Sequence, residues 1–152
     1  MSIDTESDAS SRIEAVVAAV SEWPGISLVE GRSGGRTVRL GPREIGTLRY
    51  AGTLTITYPV VLHEALVDAG WAAPDPLAPV SGRTVFRVRS GADIERALSL
   101  LRVSYLFHAL RRSDTPEGRE ALDAVDVPAD LDHVGAPYPV REFLVKLAGR
   151  PA

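Results

Sequence analysis

The chain has 152 residues, 45% hydrophobic and 24% charged, an ordinary globular composition with enough apolar material for one sizeable core. It contains no cysteine, which excludes disulfides, thiolate metal sites and cysteine nucleophiles. The formal charge of -3 is uneven: residues 113 to 152 hold eight acids and four bases, a net -4, which leaves the body at +1.

Met1 to Ser11 is acidic and serine-rich, without the basic-then-apolar run of a leader. No stretch approaches the roughly 18 apolar residues of a spanning helix. The expectation is a cytoplasmic protein away from membranes, with residues 1-10 a disordered start. Ser11 and Glu14 then form a capping box for a helix with apolar face Ile13, Val16, Val17 and Val20, stopped by Trp23-Pro24-Gly25.

Four strand-like runs follow, Ile26 to Glu30, Thr37 to Leu40, Ile45 to Tyr50 and Thr53 to Thr57. The turn signals between them are Gly31 to Gly35, Gly41-Pro42 and Ala51-Gly52, and such short links imply an antiparallel meander. Pro59 to Ala69 reads as a short helix closed by Gly70, and the three prolines between Ala72 and Val80 make that span irregular. From Arg83 to Arg89 the residues alternate, with Thr84, Phe86 and Val88 towards a core and Arg83, Val85, Arg87 and Arg89 away from it.

Ser90, with Asp93 three positions on, opens the longest helix, which runs from near Gly91 past Leu110. Its two apolar stripes, Ile94, Leu98, Leu101 and Tyr105, then Leu100, Val103, Phe107 and Leu110, predict burial on most sides. Past Arg112, Asp114-Thr115-Pro116 starts an acidic helix, a Pro/Asp-rich link follows, and Val140, Phe143, Leu144 and Leu147 dock a last segment. The expected fold is α+β: an antiparallel sheet of about five strands with helices on one face. The domain spans 11-112, and an acidic helical tail over 113-152 docks on it.

Familiar catalytic patterns are incomplete. His63-Glu64 begins a zinc-protease pattern, yet Val67 stands where the second histidine belongs. Asp130, Asp132 and His133 lack calcium-loop spacing and read as a solvated linker, so no metal is implied. Ser104, Tyr105 and His108 read as a self-satisfied buried trio. Gly31 to Gly35 is neither a P-loop nor a dinucleotide turn, and Ser81-Gly82 precedes a strand rather than a helix.

Sixteen of the seventeen basic residues are arginine, a bias for which codon preference is the simpler account and anion recognition the sharper one. Strand alternation places Arg39, Arg49, Arg83, Arg87 and Arg89 on the non-core side, where guanidinium forks suit carboxylate or phosphate. With 6% aromatics and a net acidic charge, the chain does not fit nucleic-acid binding.

Trp23-Pro24-Gly25, Gly41 to Gly46, Pro59 to Gly70, Ser81 to Ser90 and Asp93 to Tyr105, taken in order, resemble the luciferase-domain family over about Glu14 to Leu110. The resemblance implies kinship with fungal luciferases, which oxidise a hydroxylated pyrone with molecular oxygen and without metal or flavin. No cofactor is therefore expected. Family members usually read Gly-His-x-His where this chain has Gly46-Thr47-Leu48-Arg49, and carry a histidine pair before Pro-x-Ser-Gly-Trp, where it has Asp75-Pro76 and Arg83. These departures remove the groups that titrate near neutrality and substitute guanidinium.

The leading expectation is a luciferase-domain protein that binds a small anionic or aromatic molecule through Thr47, Arg49, Asp75 and Arg83, with catalysis left open. One rival is a non-catalytic homo-oligomeric module that uses the second stripe of the long helix and Val140 to Leu147. Another is oxygen-dependent oxidation of an electron-rich aromatic substrate.

Overall fold

Side chains on a strand alternate between two faces, so the middle of this chain supplies strands that are oily on one side only. The computed structural model describes residues 2–31, 34–77 and 81–149, with side chains from Asp8 onward. Its strands are β1 Ile26–Gly31, β2 Gly35–Leu40, β3 Arg43–Arg49, β4 Thr53–Thr57, β5 Ala73–Pro74 and β6 Arg83–Arg87. They form one fully antiparallel sheet in the order β1-β2-β3-β4-β6-β5. The helices are α1 Ser2–Val20, α2 Val60–Asp68, α3 Ala92–Arg111, α4 Pro116–Asp123, α5 Val127–Val134 and α6 Tyr138–Ala148.

The α+β class and the one-sided packing are as expected, but the sheet has six strands rather than about five. The addition, β5, pairs Ala73 with Val85 and Pro74 with Thr84. A proline lacks the ladder donor, so it fits only an edge strand, and β5 is the edge. The first helix starts at Ser2, upstream of the expected cap at Ser11, which is instead an exposed position inside α1. Arg32 and Ser33 of the expected Gly31 to Gly35 turn, the last three residues of the Ala72 to Val80 loop, Met1 and residues 150–152 lie outside the described residues.

Val38, Leu48, Leu54, Ile56 and Thr84 form the covered face of the sheet and are buried. Against it lie α1, through Ile13, Val16 and Val20, and α3, whose Leu100, Leu101, Val103, Tyr105 and Leu106 are at most 1% exposed. Burying each such side chain contributes roughly 1.5 to 3 kcal/mol, so α3 is the chief contributor to the core. A Cβ on Gly46 would stand 2.9 Å from Leu101 Cδ2 and 3.0 Å from Ile56 Cγ1. Glycine is therefore what lets α3 lie directly on β3. A bulge at Val38/Arg39 puts Ile45 and Gly46 in succession at buried positions and returns Thr47 to the other face.

Three hydroxyls fix the position of α3. Ser104 Oγ donates to the Ile45 carbonyl (2.7 Å), Tyr105 Oη to the Pro24 carbonyl (2.6 Å), and Tyr58 Oη to the Leu100 carbonyl (2.6 Å). The expected Ser104, Tyr105, His108 trio is thus not a cluster, because two of its members bond to different elements. Burial pushes the Tyr105 hydroxyl up to about 12 and Tyr58 well above its ordinary value, so both remain protonated donors. At the start of α3 the N-cap position is Gly91 with no side-chain cap bond, rather than Ser90, and the Asp93 carboxylate instead reaches back to the amides of Arg89 (2.8 Å) and Ser90 (3.1 Å).

The tail packs on α3 and α2, with Leu131, Val140 and Leu144 fully buried. The Pro/Asp link expected before Val140 is a helix, α5. Asp126 is its N-cap, accepting from the Ala129 amide at 3.1 Å, with a proline in its first turn. Asp130 on α5 holds Arg102 of α3 through Nη2 (2.6 Å) and Nε (2.8 Å), and Asp132 pairs with Arg141 of α6. No helix among the described residues is long and apolar enough to cross a membrane.

His108 sits near the end of α3, edge-on to Phe107, with ring centroids 5.0 Å apart. Burial, then the charges of Arg43 and Arg112, lower its pKa from 6.5 to about 4. The unfolded chain therefore gains a proton near the ordinary histidine value and the folded chain only near the lowered one. Stability contributed by His108 is present above the unfolded pKa and is lost as pH falls through this window. In urea unfolding, His108→Gln is expected to lose less stability than the parent between about pH 7 and pH 4, by on the order of 2 kcal/mol. Parallel pH profiles for the two proteins would show that His108 is not the group responsible.

Candidate functional site

On the uncovered face of the sheet the register brings short hydroxyls into rows. Thr37 pairs with Thr47, Thr47 with Thr55, and Thr55 with Val85, so a band of threonine crosses β2, β3 and β4. Thr53, Thr55 and Thr57 lie on this face because Leu54 and Ile56 take the core side. Thr57 pairs with Arg83, and Arg49 with Thr53.

Within this surface is a depression of about 140 Å³, lined by Thr47, Arg49, Thr55, Thr57 and Arg83 together with Glu44 and backbone of the bulge. Three of the four residues expected from the sequence, Thr47, Arg49 and Arg83, thus meet in one place. The fourth, Asp75, lies outside the lining and pairs with Arg83, its Oδ2 3.0 Å from Nε. Asp75 Oδ1 also accepts from the Leu77 amide (2.9 Å), which sets the turn after β5. Thr47 donates its hydroxyl to Glu44.

Arg49 differs from Arg83 in that its exposed side chain makes no hydrogen bond or ion pair with another described residue. The depression therefore presents one free guanidinium, one partly neutralised by Asp75, and one carboxylate at Glu44. Glu44, Thr55 and Thr57 were not singled out from the sequence. The signal for the threonines was the alternation Thr53-Leu54-Thr55-Ile56-Thr57, which gives them the same parity as the arginines across the register. Of the other outward arginines, Arg39 pairs with Glu44 across β2 and β3, while Arg87 and Arg89 line a separate cleft.

The remaining histidine of interest is structural. His63 on α2 is 6% exposed and its Nδ1 stands 2.7 Å from Thr84 Oγ1. The Thr84 hydroxyl donates its one proton to the Gly82 carbonyl (3.1 Å), so His63 Nδ1 is the donor and the pair ties α2 to β6. Gly82 has φ +79, and a Cβ there would stand 2.3 Å from the Tyr58 carbonyl oxygen, so the turn into β6 requires glycine. Among the described residues no group of three or more His, Asp or Glu is placed to hold a metal ion.

The described residues thus form an α+β sheet, covered by helices on one face and carrying a small polar depression on the other. Residues 42–104, from the turn between β2 and β3 to the middle of α3, match the family model of the Luciferase domain. The match is shorter than the Glu14 to Leu110 expected from motifs, and it contains Thr47, Arg49, Asp75 and Arg83. No curated protein and no solved structure matches the chain.

The two bonds of Asp75 are separable by substitution. Asp75→Asn retains an oxygen for the Leu77 amide and removes the charge, whereas Asp75→Ala removes both. By urea unfolding, Asn is expected to destabilise by about 0.5 kcal/mol, the scale of a half-exposed ion pair, and Ala by about 1 to 2 kcal/mol. Equal values for the two variants would show that the turn bond contributes nothing.

Proposed function

We propose that this luciferase-domain protein binds a small oxyanion, a carboxylate or a phosphate, in the depression on its uncovered sheet face. Arg49 is the principal donor, Arg83 the second, and the hydroxyls of Thr55 and Thr57 complete the coordination. The observation that carries this reading is the free guanidinium of Arg49 lining the same depression as Arg83. A planar fork gives two parallel donors to one carboxylate or phosphate, and such charge-assisted bonds contribute about 1.5 to 3 kcal/mol.

Size decides between an anion and an aromatic ligand at this position. Sites for drug-sized molecules occupy roughly 300 to 1,000 Å³, and about 140 Å³ suits a single oxyanion group. No aromatic side chain is in the lining, so oxidation of an aromatic substrate has no support there. For general acid–base chemistry the lining offers no imidazole, and its one carboxylate, Glu44, is engaged by the Thr47 hydroxyl. Of the surface the homo-oligomeric reading uses, Leu100, Val103, Val140 and Leu144 are buried within the chain, while Phe107, Leu110, Phe143 and Leu147 are half-buried.

Thermal-shift titration with phosphate and with acetate tests the proposal. The unmodified protein is expected to be stabilised saturably by at least one of the two. Arg49→Ala combined with Arg83→Ala is expected to weaken that binding by about tenfold or more. Unchanged ligand shifts in the double variant would refute the site.

A further inference from the structure

The edge of the sheet at β6 carries a second and larger concavity that the oxyanion site does not use. Strand β5 stops after Ala73 and Pro74, opposite Val85 and Thr84. The Asp75 amide donates to the Arg83 carbonyl (3.0 Å), whereas the Val88 amide donates to the Gly52 carbonyl (2.8 Å) on the opposite side. Ladder bonds alternate along an antiparallel strand, so the odd residues of β6 present their backbone to the β5 edge. Arg87 is the next odd residue beyond the end of β5. Opposite it the chain has already turned away, with the Trp71 amide donating to the Leu66 carbonyl (3.0 Å).

The gap beside Arg87 opens into a cleft of about 440 Å³. Val85 and Phe86 line it on the β6 side, Pro74 and Pro76 on the β5 side, and Trp71 at one end. The Trp71 ring is held in place by Arg96, whose guanidinium carbon lies 4.0 Å from the ring centroid. Arg87 and Arg89 also line the cleft, and neither side chain has a hydrogen bond or ion pair with another described residue. The one acid in the lining is Asp93, whose carboxylate is already held by the Arg89 and Ser90 amides.

We propose that this cleft binds a small aromatic carboxylate, with its ring against Phe86, Trp71 and the prolines and its carboxylate on Arg87 and Arg89. An apolar slot walled by aromatic and proline side chains favours a flat ring. Two unpaired guanidinium groups and a free strand amide at its margin demand an anion in the same molecule. The volume lies in the range of small-molecule sites, unlike that of the oxyanion depression. This site shares no lining residue with that depression, so the two proposals stand or fall separately.

The test is titration with benzoate, phenylacetate, the neutral isostere benzamide and inorganic phosphate. Binding is read by calorimetry on the unmodified protein and by tryptophan fluorescence in a Trp23→Phe background, where Trp71 is the only reporter. Saturable binding of both carboxylates is expected, with benzamide about tenfold weaker and phosphate leaving Trp71 fluorescence unchanged. Arg87→Gln with Arg89→Gln is expected to weaken the carboxylates by about tenfold, and Arg49→Ala with Arg83→Ala by less than about twofold. The proposal is overturned if neither carboxylate binds below roughly 10 mM, if benzamide binds equally well, or if the Arg87/Arg89 variant binds like the parent.

Discussion

The contact between α3 and the sheet at Gly46 sets everything else in place. With no side chain there, Leu101 reaches the sheet directly, and the Ser104 hydroxyl finds the carbonyl of Ile45 one residue away. Both contacts are short range and directional, so α3 has little freedom to slide or rotate. Tyr105 and Tyr58 then bind it to the turn before β1 and to the end of β4. A donor left unpaired in so apolar a setting would cost about 1 to 3 kcal/mol, which is why these bonds specify position as well as adding stability.

Fixing α3 on one face leaves the other face uncovered. The tail helices pack behind α3 and α2 instead of crossing the sheet, so alternate residues of β2, β3, β4 and β6 remain exposed or half-buried. Threonine suits such a face, because a β-branched side chain favours the strand while its hydroxyl stays available. The arginines flank this band. Their division into Arg49 with Arg83, and Arg87 with Arg89, follows from where β5 ends, since beyond Pro74 the edge of the sheet carries Asp75 and on the other side it opens into the apolar cleft.

What could be read from the sequence was periodic and local. The alternation of Thr84, Phe86 and Val88 with Arg83, Val85 and Arg87 gave the faces of β6, and the double stripe of α3 anticipated its burial. Thr47, Arg49 and Arg83 came together because parity within a strand survives folding. The failures share one cause, residue types with two meanings. Proline and aspartate at Asp126 to Asp130 read as a linker, yet aspartate before proline is also how a helix begins, and α5 exists on that basis. Prolines near Pro74 disguised β5, and without β5 there was no means of seeing that Asp75 pairs with Arg83. The bulge at Val38/Arg39 depends on two strands at once and leaves no mark in either alone.

A sheet covered on one side and bare on the other is the claim on which the oxyanion site depends, and the absence of cysteine allows a direct measurement. Thr57 is exposed and its neighbour Ile56 is 2% exposed, so single substitutions Thr57→Cys and Ile56→Cys report on the two faces. Thiol labelling of the native protein is predicted to be fast at position 57 and slower at position 56 by about a hundredfold or more, since a core thiol reacts only through opening. Equal protection at both positions would mean that a second layer covers the outer face, and would contradict a sheet with one bare side.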